Sequence, residues 1–212
     1  MSLITGAYNV LVDRSDWFVQ LTLKHLSIAI TAIAIVTVIG IPVGVLIAGK
    51  RILSTVVMSI VNVVYTIPSI ALFGFLVAIT GVGDKSAIIA IVIYGFLPII
   101  RNTLAGIQNV DKGVLKTATA MGSTKWQLLY KIELPLALPI IFSGFRSMVV
   151  MVIAMTGIAS FIGAGGLGVA IWRGITTYKA ELTLAGSFLV ALLAIVADLL
   201  MGFVEKALKK NS

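Results

Sequence analysis

Apolar runs alternate with short charged segments along this chain, and most of the runs are long enough to cross a lipid bilayer. A transmembrane helix needs about 20 predominantly apolar residues. The apolar runs occupy residues 26–49, 52–83, 86–100, 136–158 and 182–204. The pattern predicts an all-α polytopic membrane protein with about five transmembrane helices in a single transmembrane domain, residues 26–204.

Proline and glycine positions predict irregularities within these spans. The second run is longer than one span needs and too short for two, so Pro68 and Gly74 indicate a broken or bent helix. Pro42 predicts a kink in the first run. The third run is short, and it extends if the Arg101 side chain reaches toward water.

The two ends of the chain differ from the spans in character. Residues 1–25 mix charges with apolar positions, which predicts an amphipathic helix in the membrane interface, with a loose terminus as the alternative. No short apolar core precedes a small-residue cleavage site, so we expect no cleavable signal peptide. Residues 205–212 form a basic tail. The apolar positions of the first segment are Leu11, Trp17, Phe18, Leu21 and Leu23.

A basic amphipathic insert, residues 111–135, separates the third run from the fourth. Its first apolar residues recur at helical spacing, and Gly122 is placed to end that helix because glycine accepts a left-handed conformation. Thr124 and Gln127 match a capping box for a second helix, and Pro135 is placed to start the next one. The insert therefore predicts a helical hairpin with apolar side chains. It either binds a groove in a soluble partner or packs on its own bundle.

Composition and charge remove several function classes. Hydrophobic residues make up 59% of the chain and charged residues 11%, far from the roughly 25% charged of soluble domains. The net charge of +8 reports loop topology rather than nucleic-acid binding in a membrane protein. With no cysteine and His25 as the single histidine, we expect no metal site and no catalytic nucleophile–base pair, so the chain is not predicted to be an enzyme.

The distribution of basic residues predicts the orientation of the spans. One side collects ten: Lys50, Arg51, Arg101, Lys112, Lys116, Lys125, Lys131, Lys206, Lys209 and Lys210. The other collects five: Arg14, Lys24, Lys85, Arg173 and Lys179. Because the cytoplasmic side carries the excess, the N-terminus is predicted outside, and the hairpin and the C-terminus in the cytoplasm.

Two charged residues fall inside predicted spans, where such residues are functional candidates. Arg146 lies in the fourth run and Asp198 in the fifth. Both are expected in the inner half of the membrane, so we predict a structural ion pair, with a proton or substrate pathway as the alternative.

The hairpin carries the motif that identifies a family. Gly122 is followed ten positions on by Ile132 and then by Leu134 and Pro135. This spacing resembles the coupling motif of ABC importer permeases: Glu-Ala-Ala, three residues, Gly, nine residues, Ile, one residue, Leu-Pro. Residues 116–118 are Lys-Thr-Ala, so the motif's glutamate and first alanine are missing here.

The resemblance extends from about residue 21 onward and is closest to the permeases of osmoprotectant importers, which move glycine betaine, carnitine and choline. "SFIGAGGLG" at 160–168 and "IWRGI" at 171–175 resemble the outer loop of that group, and "YTIPSIALFGFL" at 65–76 resembles its second core span. Permeases for methionine, phosphonate or taurine-like solutes are the alternative. A channel is a further rival, but the chain has no filter-like motif.

The resemblance implies a type I ABC importer permease in the bacterial cytoplasmic membrane, working by ATP-driven alternating access. It implies a second permease chain, two cytoplasmic ATPases that bind ATP and magnesium, and an external binding protein. This chain itself has no Gly-x-x-x-x-Gly-Lys-Ser/Thr motif. The predicted ATPase-coupling residues are Val114, Leu115, Ala118, Met121, Gly122, Trp126, Ile132, Leu134 and Pro135.

Aromatic rings in the spans are candidates for the substrate path, because a quaternary ammonium binds π-faces and donates no N–H bond. Ordinary helix packing is the alternative for each ring. The glycine-rich outer loop is interpreted as a tight turn at the outer mouth, with a plain connector as the alternative. The predicted path residues are Tyr65, Phe73, Tyr94, Phe161 and Gly163.

Overall fold

The computed structural model describes residues 3–210, and its regular elements in that range are all helical. The first five are α1, Leu3–Asp13; α2, Ser15–Ala48; α3, Arg51–Thr66; α4, Ser69–Thr80; and α5, Asp84–Gln108. The remaining α-helices are α6, Lys112–Ala120; α7, Lys125–Leu128; α8, Leu134–Ala159; α9, Gly168–Thr176; and α10, Ala180–Lys210.

The number of spans agrees with the sequence. Four helices in the described part of the chain are long and apolar enough to cross a membrane, and the count is five if the bent pair α3–α4 crosses as one span. The prediction of about five transmembrane helices is confirmed. The third span is longer than its apolar run, because α5 continues past Arg101 to Gln108 while the Arg101 side chain stays exposed.

The second span is broken at one point only. Helices α3 and α4 meet at 95°, because Pro68 lacks an N–H and pushes the preceding residue out of the helical region; Ile67 has ψ 128°. The Tyr94 hydroxyl of α5 donates to the Ile67 carbonyl at this break. Gly74 lies inside the continuous helix α4, so the break predicted there is wrong. Helix α2 is continuous through Pro42, the position of the predicted kink.

The hairpin runs directly into the fourth span. Leu129–Glu133 forms a π-helical turn between α7 and α8, in which the Leu134 N–H donates to the Leu129 carbonyl. The predicted second helix and the start of the fourth span at Pro135 are both present, as α7 and the first turn of α8, and no break separates them: Lys125–Ile162 is one long helix. The widened turn accommodates Pro135 in the first turn of α8, because a π bulge relieves the clash that proline makes with the preceding turn.

The helix boundaries near the termini differ from the predicted segments. The chain breaks at Arg14 rather than near residue 25, and residues from Ser15 onward belong to the first spanning helix. The reason is packing: Phe18 is 4% exposed and contacts the buried cluster that includes Ala7 and Leu182. Helix α10 continues past residue 204 to Lys210. Residues 1–2 and 211–212 of the two predicted terminal segments lie outside the described residues.

Helix α5 lies at the centre of the bundle, against α2, α3, α4 and α8. Small residues allow this close approach. A methyl group at Gly95 would lie 2.7 Å from the Val36 Cγ2 of α2, and one at Gly106 would lie 3.1 Å from the Ala137 carbonyl oxygen of α8. Both distances are shorter than an ordinary van der Waals contact. Side chains of the neighbouring helices therefore pack directly on the α5 backbone, as at other membrane helix interfaces.

Candidate functional site

The hairpin at one end of the bundle, residues 111–135 with α6 and α7, is shaped by local capping. Asp111 Oδ1 accepts a hydrogen bond from the Gly113 N–H at 2.6 Å where α6 begins. Gly122 has φ +90°, a conformation that glycine adopts without strain. Thr124 Oγ1 accepts from the Gln127 N–H at 3.3 Å, and Gln127 Oε1 accepts from the Thr124 N–H at 2.8 Å. The predicted glycine turn and capping box are confirmed.

Large apolar side chains project from this hairpin away from the bundle. Met121 is 83% exposed, Trp126 68% and Tyr130 62%. The Trp126 and Tyr130 rings stack, with their centroids 5.6 Å apart and their planes 15° from parallel. Exposed apolar groups gathered on one element are typical of surfaces that contact a protein partner or the membrane.

The nine predicted coupling residues divide by burial. Five are exposed, three are half-buried and one is buried, so the hairpin has an outward face and a more buried face. The exposed ones are Val114, Met121, Gly122, Trp126 and Pro135; the half-buried ones are Leu115, Ile132 and Leu134; the buried one is Ala118. Tyr130 was missing from this predicted set, although its spacing of four residues from Trp126 was a signal for it.

A cleft of about 530 Å³ separates the hairpin from the ends of α2 and α5. Leu115 and Leu128 line it on the hairpin side, and the lysines at 50, 112 and 125 surround its polar part. The hairpin also joins the bundle through the continuous helix from α7 to α8.

The two intramembrane charges form the predicted pair. Arg146 on α8 donates from Nε and Nη2 to the two carboxylate oxygens of Asp198 on α10, both at 2.6 Å. Its Nη1 donates to Glu205 Oε2 at 2.9 Å. Glu205, which sequence reasoning missed, lies seven residues after Asp198 and so on the same face of α10. A bidentate guanidinium–carboxylate pair fixes geometry as well as charge, and here it fastens α8 to α10.

Two of the predicted path residues meet at the break of the second span. The Tyr65 and Tyr94 rings are 5.6 Å apart at 66°. Tyr65 is 44% exposed whereas Tyr94 is buried, and the Tyr65 hydroxyl lies 4.0 Å from the Met151 sulfur of α8. Phe73 is elsewhere: it is fully buried in the hydrophobic core beside Leu72. The exposed ring at this position is therefore that of Tyr65.

Phe161 and Gly163 lie at the end of the bundle opposite the hairpin. Phe161 belongs to a short 3-10 turn, Ser160–Ile162, and its ring is 4.9 Å from the ring of Trp172 on α9. Gly163 follows with φ +79°. Phe161 is ten residues beyond Met151, about 15 Å along α8. The predicted path residues are thus not one cluster.

A buried histidine beside this loop was not singled out by the sequence. His25 is fully buried, its Nε2 lies 3.0 Å from the Ile153 carbonyl oxygen, and its Nδ1 has no hydrogen-bond partner among the described residues. The neighbouring Lys24 forms a salt bridge with Asp84 at the start of α5. Among residues 3–210, no three His, Asp or Glu side chains are grouped so as to hold a metal ion.

Comparison with known proteins finds one family over most of the chain. The family described as "Binding-protein-dependent transport system inner membrane component" matches residues 40–210. The glycine betaine/carnitine/choline transport system permease protein OpuCD of Bacillus subtilis (strain 168) is 41% identical over 197 residues, 92% of this chain and 86% of that protein. The osmoprotectant import permease protein OsmW of Salmonella typhimurium is 38% identical over 196 residues, 90% of this chain and 91% of that protein.

Solved structures share the architecture. An inward-facing structure of the MetNI methionine ABC transporter matches with a TM-score of 0.81 and 25% identity, over 90% of this chain and 95% of that chain. An amino acid ABC transporter crystallised with histidines matches with a TM-score of 0.72 and 19% identity, over 95% of this chain and 97% of that chain. The predicted fold class, the type I ABC importer permease fold, is confirmed.

Proposed function

The chain belongs to the family of binding-protein-dependent transport system inner membrane components, and from that premise we propose that it is the permease subunit of an ATP-driven importer for quaternary-amine osmoprotectants. The proposed substrates are glycine betaine, carnitine and choline. They are the substrates of relatives such as the glycine betaine/carnitine/choline permease OpuCD, which is 41% identical over 92% of this chain.

The observation that carries the transport role is the hairpin with its outward apolar face. Met121, Trp126 and Tyr130 are exposed on an element that continues as one helix into the fourth span. We assign this face to a groove of a cytoplasmic ATPase, which also binds the ATP and magnesium. Closure of the ATPases then shifts the hairpin and rocks the spans between inward-facing and outward-facing states.

The remaining parts of the assembly complete the proposal. A second permease, the same or a similar chain, faces this one across the path, and an external binding protein delivers the substrate. The complex lies in the bacterial cytoplasmic membrane with the N-terminus outside and the C-terminus in the cytoplasm, as the basic residues of the loops indicate. Residues 26–204 form the transmembrane domain, and residues 111–135 form its coupling hairpin.

The Arg146–Asp198–Glu205 cluster has a structural role in this scheme. It joins α8, which continues from the hairpin, to α10. Motion of the hairpin is therefore shared by two spans. A pathway for protons or substrate is less well supported, because the three groups satisfy one another.

A second candidate is a permease for methionine, because the structural match to the MetNI methionine transporter has a TM-score of 0.81. Uptake into proteoliposomes that contain the permease, its co-purified ATPase and its binding protein separates the two. We expect ATP-dependent accumulation of labelled betaine, carnitine or choline. Accumulation of methionine with none of the three amines would support an ABC importer but refute the proposed substrates.

A further inference from the structure

The seam between α3 and α5 carries two polar layers on one face. In the first layer, Tyr65 of α3 contacts Tyr94 of α5. In the second, the Arg101 Nη2 of α5 donates to Asn62 Oδ1 of α3 at 2.5 Å. Asn62 and Tyr65 are three residues apart, and Tyr94 and Arg101 are seven apart, so both pairs of positions lie on one face of their helix. The layers are separated by about 4.5 Å along α3 and by about 10 Å along α5.

Arg101 has donor capacity that the chain leaves unused. Within residues 3–208, whose side chains the structure describes, its guanidinium makes one hydrogen bond, to Asn62, and no salt bridge. Arg146, by contrast, is matched by two carboxylates. A guanidinium has five N–H donors suited to a carboxylate. An exposed arginine in a spanning helix, with no carboxylate partner among the described residues, is a candidate for binding an anionic group.

The neighbouring layer offers the opposite chemistry. The Tyr65 ring is 44% exposed, and the buried Tyr94 behind it is held by its hydrogen bond to the Ile67 carbonyl. An exposed, supported aromatic face attracts a quaternary ammonium through the ring quadrupole. No carboxylate is needed, because the methylated nitrogen has no proton to donate.

We propose that this seam is a substrate site of the permease for zwitterionic quaternary amines, with the trimethylammonium group on Tyr65 and the carboxylate on Arg101 and Asn62. The inference rests on the proposed function and deepens it. Glycine betaine and carnitine carry both groups, whereas choline has a hydroxyl in place of the carboxylate. Arg101 is then a specificity-determining residue that favours the zwitterions over choline.

The test compares substrates within one reconstituted complex of permease, ATPase and binding protein, at saturating loaded binding protein. For Arg101→Gln we expect uptake of betaine and carnitine, relative to choline, to fall by about ten- to hundredfold, the effect of losing a charge-assisted hydrogen bond. Arg101→Lys keeps the charge without the planar fork, so we expect a smaller fall in the same ratio. Tyr65→Leu should slow all three amines, and Tyr65→Phe, which keeps the ring, should not.

Choline serves as the internal control in each preparation. An equal loss of all three amines in Arg101→Gln would overturn the site and indicate a structural or lipid-phosphate contact, and so would an unchanged ratio. If Arg101→Gln does not assemble, the ratio in Arg101→Lys decides: an unchanged ratio overturns the site. A wild-type complex that takes up none of the amines would instead refute the proposed function itself.

Discussion

Replacing Trp126 with alanine removes the largest exposed ring of the hairpin. An aromatic side chain of this kind buries about 150–250 Å², and 68% of Trp126 is exposed, so roughly 100–170 Å² is open to a partner. At about 25 cal/mol per Å², complete coverage stabilises the complex by roughly 2.5–4 kcal/mol. Because a partner covers an exposed ring only in part, we expect the substitution to weaken the binding free energy by about 2 kcal/mol. This raises the Kd for the ATPase by roughly thirtyfold.

The assay is titration of the purified ATPase onto the permease in lipid nanodiscs. The matched control is Thr119→Ala on the same hairpin, since the Thr119 hydroxyl is exposed and bonds only within α6, to the Leu115 carbonyl at 2.7 Å. Thermal melting of the free permease should be the same for wild type and Trp126→Ala, because the exposed ring contributes little to the fold. A variant that binds the ATPase as tightly as wild type would refute the coupling role of this face.

Three further predictions concern the fold that supports the site. Asp198→Asn leaves a guanidinium without its bidentate partner, so we expect a lower melting temperature and slower transport; wild-type values of both would contradict the clamp between α8 and α10. Gly95→Ala overpacks α5 against α2 and should lower the free energy of unfolding by about 1–3 kcal/mol, measured by thermal melting. The control Gly74→Ala has open space around the new methyl group, so its stability should be unchanged. Gly122 has φ +90°, and asparagine tolerates this left-handed conformation better than valine. Gly122→Val should therefore weaken ATPase binding more than Gly122→Asn. Equal binding by the two variants would contradict the claim that this turn shapes the hairpin for the ATPase.

Local signals in the sequence were enough for the spans and the hairpin turn. The capping box depends on the side chains of Thr124 and Gln127 three residues apart, and the break at Pro68 depends on the missing N–H of one residue. The pairing of Arg146 with Asp198 followed from their similar depth in two spans. Such features are short-range, or are set by the membrane itself, so a single sequence contains them.

Features that depend on contacts between helices were harder to predict from the sequence. Glu205 was assigned to a basic tail, although its spacing of seven residues from Asp198 was a usable signal. The contact between Asn62 and Arg101 joins two helices whose relative rotation no sequence pattern fixes. The π-helical turn before Pro135 was missed because proline at a helix start and proline after a widened turn look the same in sequence.

The central claim is tested most directly by measuring betaine uptake and ATP hydrolysis in the same proteoliposomes. For the wild-type complex, we predict that substrate-loaded binding protein stimulates both, and that uptake stops when ATP is replaced by a non-hydrolysable analogue. Trp126→Ala should lower both rates, and Thr119→Ala neither. Betaine uptake that persists without hydrolysable ATP would contradict the account and indicate a channel.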